Sequence, residues 1–258
     1  MDAYTGFAGF YDSFMDNVPY DKWVKDTVDT LNRYGVKDGL ICDIGCGTGR
    51  VTRMLKEKGF DMIGIDNSSD MLEIAMYEHM EESEGILYLL QDMREFELYG
   101  TVNAFVSLCD SMNYLLSEED IVKTLKLVNN YLEAGGLFVF DMKTGYEYEK
   151  KMGNRTIVDN REDATLIWEN RFDPKTNINS YDITIYGLVD EEEGLFERFD
   201  ETHLQRCYSA DTMRQLIEKA GMEFVTCYDS ETLKEVTAET ERTVFVAREK
   251  KQDGKLYV

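Results

Sequence analysis

The chain has 258 residues, with 28 Lys and Arg against 51 Asp and Glu, so its formal net charge is −23. A charge this negative repels a polyphosphate, and no Lys/Arg-rich run offsets it locally, which excludes DNA and disfavours RNA as a partner. The length fits one large α/β domain or a domain carrying an insertion, and 43% hydrophobic with 12% aromatic residues is enough for a folded core.

The composition also indicates the cellular compartment of the protein and whether a metal site is expected. No run approaches the ~18–20 apolar residues of a membrane span, and residues 1–20 carry acids rather than a basic start, so neither a membrane segment nor a secretory signal is expected. Five cysteines without a CxxC spacing and two histidines, His79 and His203, are too few for a zinc site or a disulfide framework. We therefore expect a cytoplasmic protein with no metal site.

Residues 1–35 are predicted to form a helical lid. Aromatic side chains recur there at helical spacing, at Tyr4, Phe7, Phe10, Tyr11 and Phe14. Such a stripe is also typical of an ordinary buried helix face. We favour a lid because aromatic walls exclude water from a reaction site.

Residues 36–143 alternate short apolar runs with amphipathic segments. The runs are too short for helices and continuous enough for strands buried on both faces. They are Leu40–Ile44, Met62–Ile65, Ile86–Leu90, Ala104–Leu108 and Leu137–Phe140. A helix is predicted over Glu118–Leu132, preceded by Ser117 as its cap. Strands alternating with helices predict a parallel sheet with right-handed crossovers.

Residues 144–207 read as an antiparallel β insert that covers the substrate. Strand-like runs follow one another there without helices between them, at Thr165–Phe172, Tyr181–Val189 and Leu195–Cys207. Residues 208–258 return to the main domain through a helix opened by Ser209, followed by strand candidates Glu223–Tyr228 and Thr243–Arg248.

A glycine-rich turn follows the first predicted strand. Gly45, Gly47 and Gly49 allow a tight turn and let backbone N–H groups approach a ligand at a helix N-terminus. An ordinary strand-to-helix turn is the alternative. A nicotinamide-binding fingerprint would need its third glycine at position 50, where this chain has Arg50. The spacing therefore favours an adenosyl ligand without a pyrophosphate.

Two aspartates end the second and third predicted strands. The strand ends of a doubly wound sheet converge on one crevice, so Asp66 and Asp92 are expected to line one ligand. A carboxylate at the position of Asp66 binds ribose hydroxyls in nucleotide-binding α/β folds. Each aspartate taken alone is more typical of a helix cap, but the glycine-rich turn beside them weakens that interpretation.

These residues resemble the class I S-adenosylmethionine-dependent methyltransferases, over about residues 36–142 and again over 209–248. Besides the glycine loop, the resemblance is carried in order by Gly64-Ile65-Asp66-Asn67-Ser68, Gln91-Asp92-Met93, Leu108-Cys109-Asp110-Ser111-Met112-Asn113-Tyr114 and Gly135-Gly136. It implies a Rossmann-like, doubly wound, mostly parallel seven-stranded sheet with the antiparallel β insert. It also implies S-adenosylmethionine as cofactor, with S-adenosylhomocysteine as product.

The resemblance implies a role for each matching residue. Gly45, Cys46 and Gly47 would wrap the methionine portion of the cofactor, with Asp43 beneath its amino group. Asp66 would bind the ribose and Asn67 would lie against the adenine. Asp92 and the Met93 backbone would bind the adenine ring, while Leu108 and Cys109 would border the sulfonium and Asp110 would face the acceptor. The N-terminal segment resembles the lid of small-molecule members, which adds Tyr11 and Trp23 to the cofactor-binding set.

The predicted activity is methyl transfer to the nitrogen or oxygen of a small molecule. A neutral amine needs no strong base; for other acceptors Asp110 or His203 is the candidate catalytic base. A lone histidine on a strand is also typical of a structural, hydrogen-bonded residue. Methylation of a protein or tRNA, and a non-catalytic module that binds the cofactor or its product, remain alternatives, as do a monomer and a homodimer.

Overall fold

The computed structural model describes residues 8–250 and residue 255. Tyr4 and Phe7 of the predicted lid lie outside this range. The helices are α1 (Ala8–Phe14), α2 (Tyr20–Tyr34), α3 (Arg50–Glu57), α4 (Ser69–Glu73), α5 (Glu118–Tyr131) and α6 (Ala210–Lys219). The strands are β1 (Leu40–Ile44), β2 (Asp61–Asp66), β3 (Leu87–Leu90), β4 (Val102–Ser107), β5 (Leu132–Lys143), β6 (Arg155–Asn160), β7 (Ala164–Asp173), β8 (Ile178–Asp190), β9 (Leu195–Arg206), β10 (Glu223–Asp229) and β11 (Arg242–Arg248).

Seven strands form the main sheet, in the order β3-β2-β1-β4-β5-β11-β10. Strands β1 to β5 pair in parallel, whereas β11 runs antiparallel to both of its neighbours. The strand order reverses between β1 and β4, which opens a crevice at the carboxyl ends of these two strands. The predicted fold class is therefore confirmed.

Helices cover both faces of this sheet, which explains why its strands are continuous apolar runs. In β5, Phe138 and Phe140 point to one face and Leu137 and Val139 to the other, as the two-residue period of a strand requires. α5 and α6 pack on the first face and α2 and α3 on the second. α5 begins where Ser117 accepts a hydrogen bond from the Asp120 N–H, as its sequence predicts.

Strands β6 to β9 form a second, antiparallel sheet in that order. In β8 the buried residues alternate with more exposed ones, so that Tyr181, Ile183 and Ile185 face a small core beneath the sheet. The edge strand β6 contains only two apolar residues, Ile157 and Val158, which explains why its sequence gives no distinct strand signal.

α1 connects the two sheets. The Phe10 ring lies against the backbone of Gly187 in β8, where an added Cβ would come within 2.0 Å of a ring carbon, and its centroid is 6.0 Å from that of Phe199. Asp12 on the same helix accepts a hydrogen bond from the Thr48 hydroxyl in the glycine-rich turn, at 2.9 Å. α1 thus contacts both the glycine-rich turn of the main sheet and the second sheet. Across the described residues, no helix is long and apolar enough to span a bilayer.

Candidate functional site

A cavity of about 250 Å³ opens at the carboxyl ends of β1, β2 and β4. It brings together all but two of the residues predicted to bind the cofactor: Tyr11, Asp43, Gly45, Cys46, Gly47, Asp66, Asn67, Asp92, Met93, Leu108 and Cys109. The exceptions are Trp23 and Asp110. The cavity is also lined by Tyr20, Arg50, Ser111 and Tyr114, to which sequence analysis gave no binding role.

The glycine-rich turn needs its glycines for two reasons. Gly45, Gly47 and Gly49 all have positive φ, at 72°, 55° and 77°. An added Cβ at Gly45 would also lie 2.6 Å from the Ser111 Oγ, so the chain passes too close for any side chain there. The turn therefore brings bare backbone to the wall of the cavity.

The Asp66 carboxylate is held in place by the backbone. Its Oδ2 accepts a hydrogen bond from the Gly47 N–H at 2.8 Å and its Oδ1 accepts one from the Ser68 N–H at 2.9 Å. Each carboxylate oxygen has a second lone pair, so both remain able to accept from a ligand. Burial raises the pKa of Asp66. The cap of α4 is Ser68, whose hydroxyl accepts from the Met71 N–H, so Asp66 is not the helix cap.

Asp43 is a buried carboxylate with no cation beside it among the described residues. It is 1% exposed, and its Oδ2 accepts a hydrogen bond from the Thr52 hydroxyl at 2.6 Å. Burial raises the pKa of Asp43 to about 7; the Thr52 hydrogen bond opposes this shift and the nearby Asp66 charge adds to it. A cationic ligand at this end of the cavity would stabilise the ionised carboxylate.

Asp92 is exposed on one side and paired on the other. Its carboxylate accepts three hydrogen bonds from the Arg94 guanidinium, the shortest at 2.5 Å, and one from the Arg94 backbone N–H at 2.8 Å. The side-chain hydrogen bond from Arg94 holds the pKa of Asp92 below its usual value. Asp92 is therefore a carboxylate at the mouth of the cavity, and its oxygens already accept hydrogen bonds from Arg94.

Arg50 lies at the start of α3, directly after the glycine-rich turn. Its guanidinium stacks over the Tyr20 ring, 4.4 Å from the centroid, and in the described part of the chain it has no carboxylate partner. Sequence analysis used Arg50 only to exclude a dinucleotide fingerprint. Its position at the N-terminus of a helix that opens on the cavity is the signal that would have marked it as an anion contact.

Comparison with known proteins shows the family to which the chain belongs. A model of the methyltransferase domain matches residues 41–136. An S-adenosylmethionine-dependent methyltransferase from Clostridium acetobutylicum superposes with a TM-score of 0.84 at 25% identity, over 97% of this chain and 100% of that one. A Bacillus subtilis protein named "Putative methyltransferase YqeM" is 33% identical over 249 residues, which are 96% of this chain and 98% of that protein. The chain belongs to the S-adenosylmethionine-dependent methyltransferases.

A further methyltransferase of known structure shares the fold at lower identity. The sugar N-methyltransferase KedS8 from a Streptoalloteichus species superposes with a TM-score of 0.74 at 17% identity, over 93% of each chain.

The cavity of this methyltransferase fits an adenosyl cofactor with an amino acid tail. It presents a fixed carboxylate with acceptor lone pairs at Asp66, a buried carboxyl group at Asp43, and Arg50, which has no acidic partner in the described part of the chain. Nucleoside hydroxyls, an ammonium and a carboxylate are complementary to these three groups.

The structure corrects the expectation that Asp110 faces the acceptor. Its carboxylate turns away from the cavity into a polar cluster, where it lies 2.7 Å from the Arg242 guanidinium and 3.1 Å from the Lys143 ammonium. It also accepts a hydrogen bond from the Gln205 amide at 2.8 Å. Asp141 completes this cluster by accepting a 2.6 Å hydrogen bond from Arg242.

The two cations beside Asp110 also weaken it as a base. Burial alone would raise its pKa, but the charges of Lys143 and Arg242 outweigh burial and hold the pKa below its usual value. What Asp110 contributes is backbone geometry: Cys109 and Asp110 have φ of 60° and 57°, and Asp141 accepts a hydrogen bond from each of their N–H groups, at 3.2 and 2.7 Å. The polar cluster therefore fixes the backbone of the cavity wall and does not supply a reacting group.

Trp23 is the second correction. Its ring lies against the Arg242 guanidinium, 4.6 Å from the ring centroid, and packs edge-on against the Tyr20 ring. It therefore covers the polar cluster from α2 and does not line the cavity.

His203 is buried behind the cavity wall instead of lining it. It is 2% exposed, its Nδ1 lies 3.1 Å from the Tyr114 hydroxyl, and its Nε2 lies 2.9 Å from a carboxylate oxygen of Glu201. Tyr114 does line the cavity, so the histidine contacts a residue of the cavity wall. The sequence motif around Asp110 contains Tyr114, but nothing local to it reveals a partner 89 residues further along the chain.

Proposed function

We propose that this enzyme transfers a methyl group from S-adenosylmethionine to a nitrogen or oxygen atom of a small molecule. The observation that carries the proposal is the position of α1 beside the cavity, which Tyr11 of that helix lines. α1 is tied to the glycine-rich turn through Asp12 and to the second sheet through Phe10. A cavity of about 250 Å³ beneath such a strap suits a metabolite and not a polymer segment.

The lining residues support specific roles toward the cofactor. Asp66 accepts hydrogen bonds from the ribose hydroxyls, and Asp43 pairs with the methionine ammonium. Arg50 pairs with the methionine carboxylate. Asn67, Asp92 and Met93 contact the adenine, and the glycine-rich turn, with Cys46, follows the methionine chain. Leu108 and Cys109 then border the sulfonium.

The cofactor supplies an electrophilic methyl group on its sulfonium, so the protein needs to place the acceptor rather than activate the donor. Tyr11, Tyr20 and Tyr114 line the same cavity as Cys109 and would hold the acceptor atom ~3 Å from the methyl group, in line with the bond that breaks. Their rings also keep water out of this space.

A nitrogen acceptor is the better supported choice. The fold is shared with a sugar N-methyltransferase, which shows that this architecture accommodates amine acceptors in another protein. The net charge of −23 attracts a cationic amine to the enzyme. A cytoplasmic location is part of the proposal, because the five cysteines are unpaired thiols in the structure.

The proposal is tested by calorimetric titration with S-adenosylmethionine, followed by a labelled-methyl screen of fractionated metabolites. We expect micromolar binding and label in a small-molecule fraction. Asp66→Ala is expected to weaken cofactor binding by about 1–3 kcal/mol, because it removes hydrogen bonds to a charged acceptor. Asp61→Ala, at the exposed opposite end of β2, is the matched control and should bind as the wild type does.

Two results would contradict the proposal. A folded protein that does not bind S-adenosylmethionine would refute the site. Tight binding with label only in protein or RNA fractions would refute the small-molecule acceptor.

A further inference from the structure

We propose that Tyr20 is a positioning residue that holds the Arg50 guanidinium ready for the carboxylate of the cofactor. The enzyme would thereby select an adenosyl sulfonium whose amino acid tail is intact over one that has lost its carboxylate. The inference rests on the proposed function, in which Arg50 pairs with this carboxylate, and it adds the residue that prepares Arg50 for the contact. Both side chains line the cavity.

The Tyr20 ring and the Arg50 guanidinium are in direct contact at the cavity wall. The central carbon of the guanidinium lies over the ring, 4.4 Å from its centroid. This is well within the ~6 Å over which an aromatic face attracts a cation. The attraction acts between a charge and a ring face and requires no hydrogen bond. It therefore holds Arg50 without using the N–H donors that bind a carboxylate.

The charge of Arg50 is not neutralised by the residues around it. In the part of the chain that the structure describes, no carboxylate pairs with Arg50. Tyr20 does not supply a negative charge either, because burial raises the pKa of its hydroxyl and the neighbouring Cys109 adds to this shift. Arg50 is thus held in place by a neutral ring and keeps its positive charge for a ligand.

A second aromatic residue of α2 holds an arginine in a different way. The Trp23 ring lies against Arg242, with the guanidinium carbon 4.6 Å from the ring centroid. That guanidinium is already paired with the carboxylates of Asp110 and Asp141. The comparison shows what distinguishes the contact at Tyr20: it has the same geometry, but its arginine lines the cavity and has no acid beside it.

Tyr20 is rigid enough to order its partner. It is 5% exposed and packs in the apolar core on the second face of the main sheet, with Val24 and Val51. An arginine side chain has many rotamers, and ordering it on binding costs free energy. A fixed ring that already orders Arg50 lowers this cost. Loss of the ring should therefore weaken the contact with the carboxylate more than the contacts with adenosine.

Calorimetry with two ligands measures this selectivity. S-adenosylmethionine is compared with decarboxylated S-adenosylmethionine, which keeps the adenosine, the sulfonium and the ammonium but lacks the carboxylate. We expect the wild type to bind the decarboxylated compound about 10- to 100-fold more weakly, because charge-assisted hydrogen bonds to Arg50 are lost. The ratio of the two dissociation constants is followed, since a general packing defect changes both constants together.

Substitutions at the two positions separate the ring from the hydroxyl group. Tyr20→Phe keeps the ring and should keep the ratio. Tyr20→Leu removes the ring and should lower the ratio by about threefold to tenfold. Arg50→Leu should lower it at least as far. In the double variant Tyr20→Leu with Arg50→Leu, the ratio should equal that of Arg50→Leu alone, because Tyr20 acts through Arg50.

Two further measurements keep the test independent of folding. Tyr186→Leu is the matched control, because Tyr186 also lies against an arginine, Arg198, but in the second sheet and outside the cavity; it should leave the ratio unchanged. If Tyr20→Leu does not fold, phenylalanine and trifluorinated phenylalanine at position 20 are compared. Fluorine withdraws negative charge from the ring face and keeps the ring, so the ratio should be lower for the fluorinated side chain.

The outcomes separate this inference from the proposed function. A wild type that binds neither ligand would refute the proposed function itself. A wild type that binds both ligands equally well would overturn the contact between Arg50 and the carboxylate, and with it this inference, but not methyl transfer. A ratio that is the same with and without the Tyr20 ring, or that falls equally in Tyr186→Leu, would overturn the role of Tyr20 alone.

Discussion

Asp43 is a buried carboxylate that has no cation beside it among the described residues. It is a fully buried carboxylate whose one hydrogen bond recorded in the structure comes from Thr52. Burial raises its pKa to about 7, so a proton competes with a cationic ligand for this site near neutral pH. A ligand ammonium at this place would supply the missing positive charge and displace that proton.

Cofactor affinity is therefore expected to depend on pH. Above pH 7 Asp43 is ionised and the dissociation constant of S-adenosylmethionine should be constant; below pH 7 the constant should rise, by up to tenfold for each pH unit, because binding must first remove the proton. Calorimetry from about pH 5.5 to 8.5 measures this. Asp43→Asn keeps an acceptor for Thr52 and should bind weakly with little pH dependence. An Asp43→Asn variant with the wild-type pH profile would contradict the assignment.

The raised pKa of Asp43 also affects the free energy of unfolding, with a pH dependence opposite to that of cofactor affinity. Between the usual aspartate pKa near 4 and the folded pKa of about 7, the folded state binds a proton that the unfolded state has lost. Without cofactor, the contribution of Asp43 to the free energy of unfolding therefore falls as pH rises through this range. In urea unfolding, Asp43→Asn should remove that part of the pH dependence; an unchanged profile would mean that another group causes it.

At the scale of elements, the polar cluster joins strands that are distant in sequence. Asp110 follows β4, Asp141 and Lys143 end β5, and Arg242 begins β11, with Trp23 of α2 packed over the arginine. The two acids and two bases balance in charge. The cluster holds the cavity wall at Cys109 through backbone hydrogen bonds, so its integrity affects both stability and the site.

Arg242→Leu should be strongly destabilising. It leaves two buried carboxylates without their shared guanidinium, and breaking a buried ion pair from one side costs about 3–5 kcal/mol. Urea unfolding measures the change. Lys25→Ala removes an exposed ion pair with Asp29 within one helix and should change the free energy of unfolding by less than about 0.5 kcal/mol. Equal effects of the two substitutions would contradict the structural role given to Arg242.

The strap α1 depends on one glycine of the second sheet. Gly187→Ala would push its Cβ into the Phe10 ring and should lift α1, which raises the KM for acceptor and cofactor with little loss of stability. Gly145→Ala is the control, because its Cβ would meet only the Cys207 sulfur at an ordinary 3.5 Å. Steady-state kinetics measures both. A Gly187→Ala enzyme with wild-type KM values would show that α1 does not close the site through Phe10.

Much of this architecture follows from local sequence, and the exceptions share one cause. The strand β1 has the predicted bounds, and Ser117 and Ser209 cap their helices, because burial and capping are short-range properties. The directions in which the side chains of Asp110 and Trp23 point could not be predicted. Both depend on Arg242, which lies 132 residues beyond Asp110 in the chain. The contact between Tyr114 and His203 could not be predicted either, because it depends on the register of β9 within the second sheet.

At the scale of the whole molecule, the net charge of −23 affects the rate at which the enzyme and a charged substrate associate, and not the fold. For a cationic acceptor, kcat/KM is expected to fall as ionic strength rises from about 20 mM to about 500 mM, because the attraction is screened beyond ~10 Å at 0.1 M salt. The kcat should stay constant over the same range. Stopped assays at several salt concentrations check this, and a kcat/KM that rises with salt would indicate an anionic acceptor.

The place of Arg242 in the chain has a consequence for synthesis. β11 is the last strand of the main sheet to leave the ribosome, yet it pairs with β5 and supplies the guanidinium that Asp110 and Asp141 share. A nascent chain already carries the glycine-rich turn and the second sheet before it carries this arginine. The backbone hydrogen bond from Cys109 to Asp141 therefore lacks the arginine that pairs with Asp141 until β11 has been made.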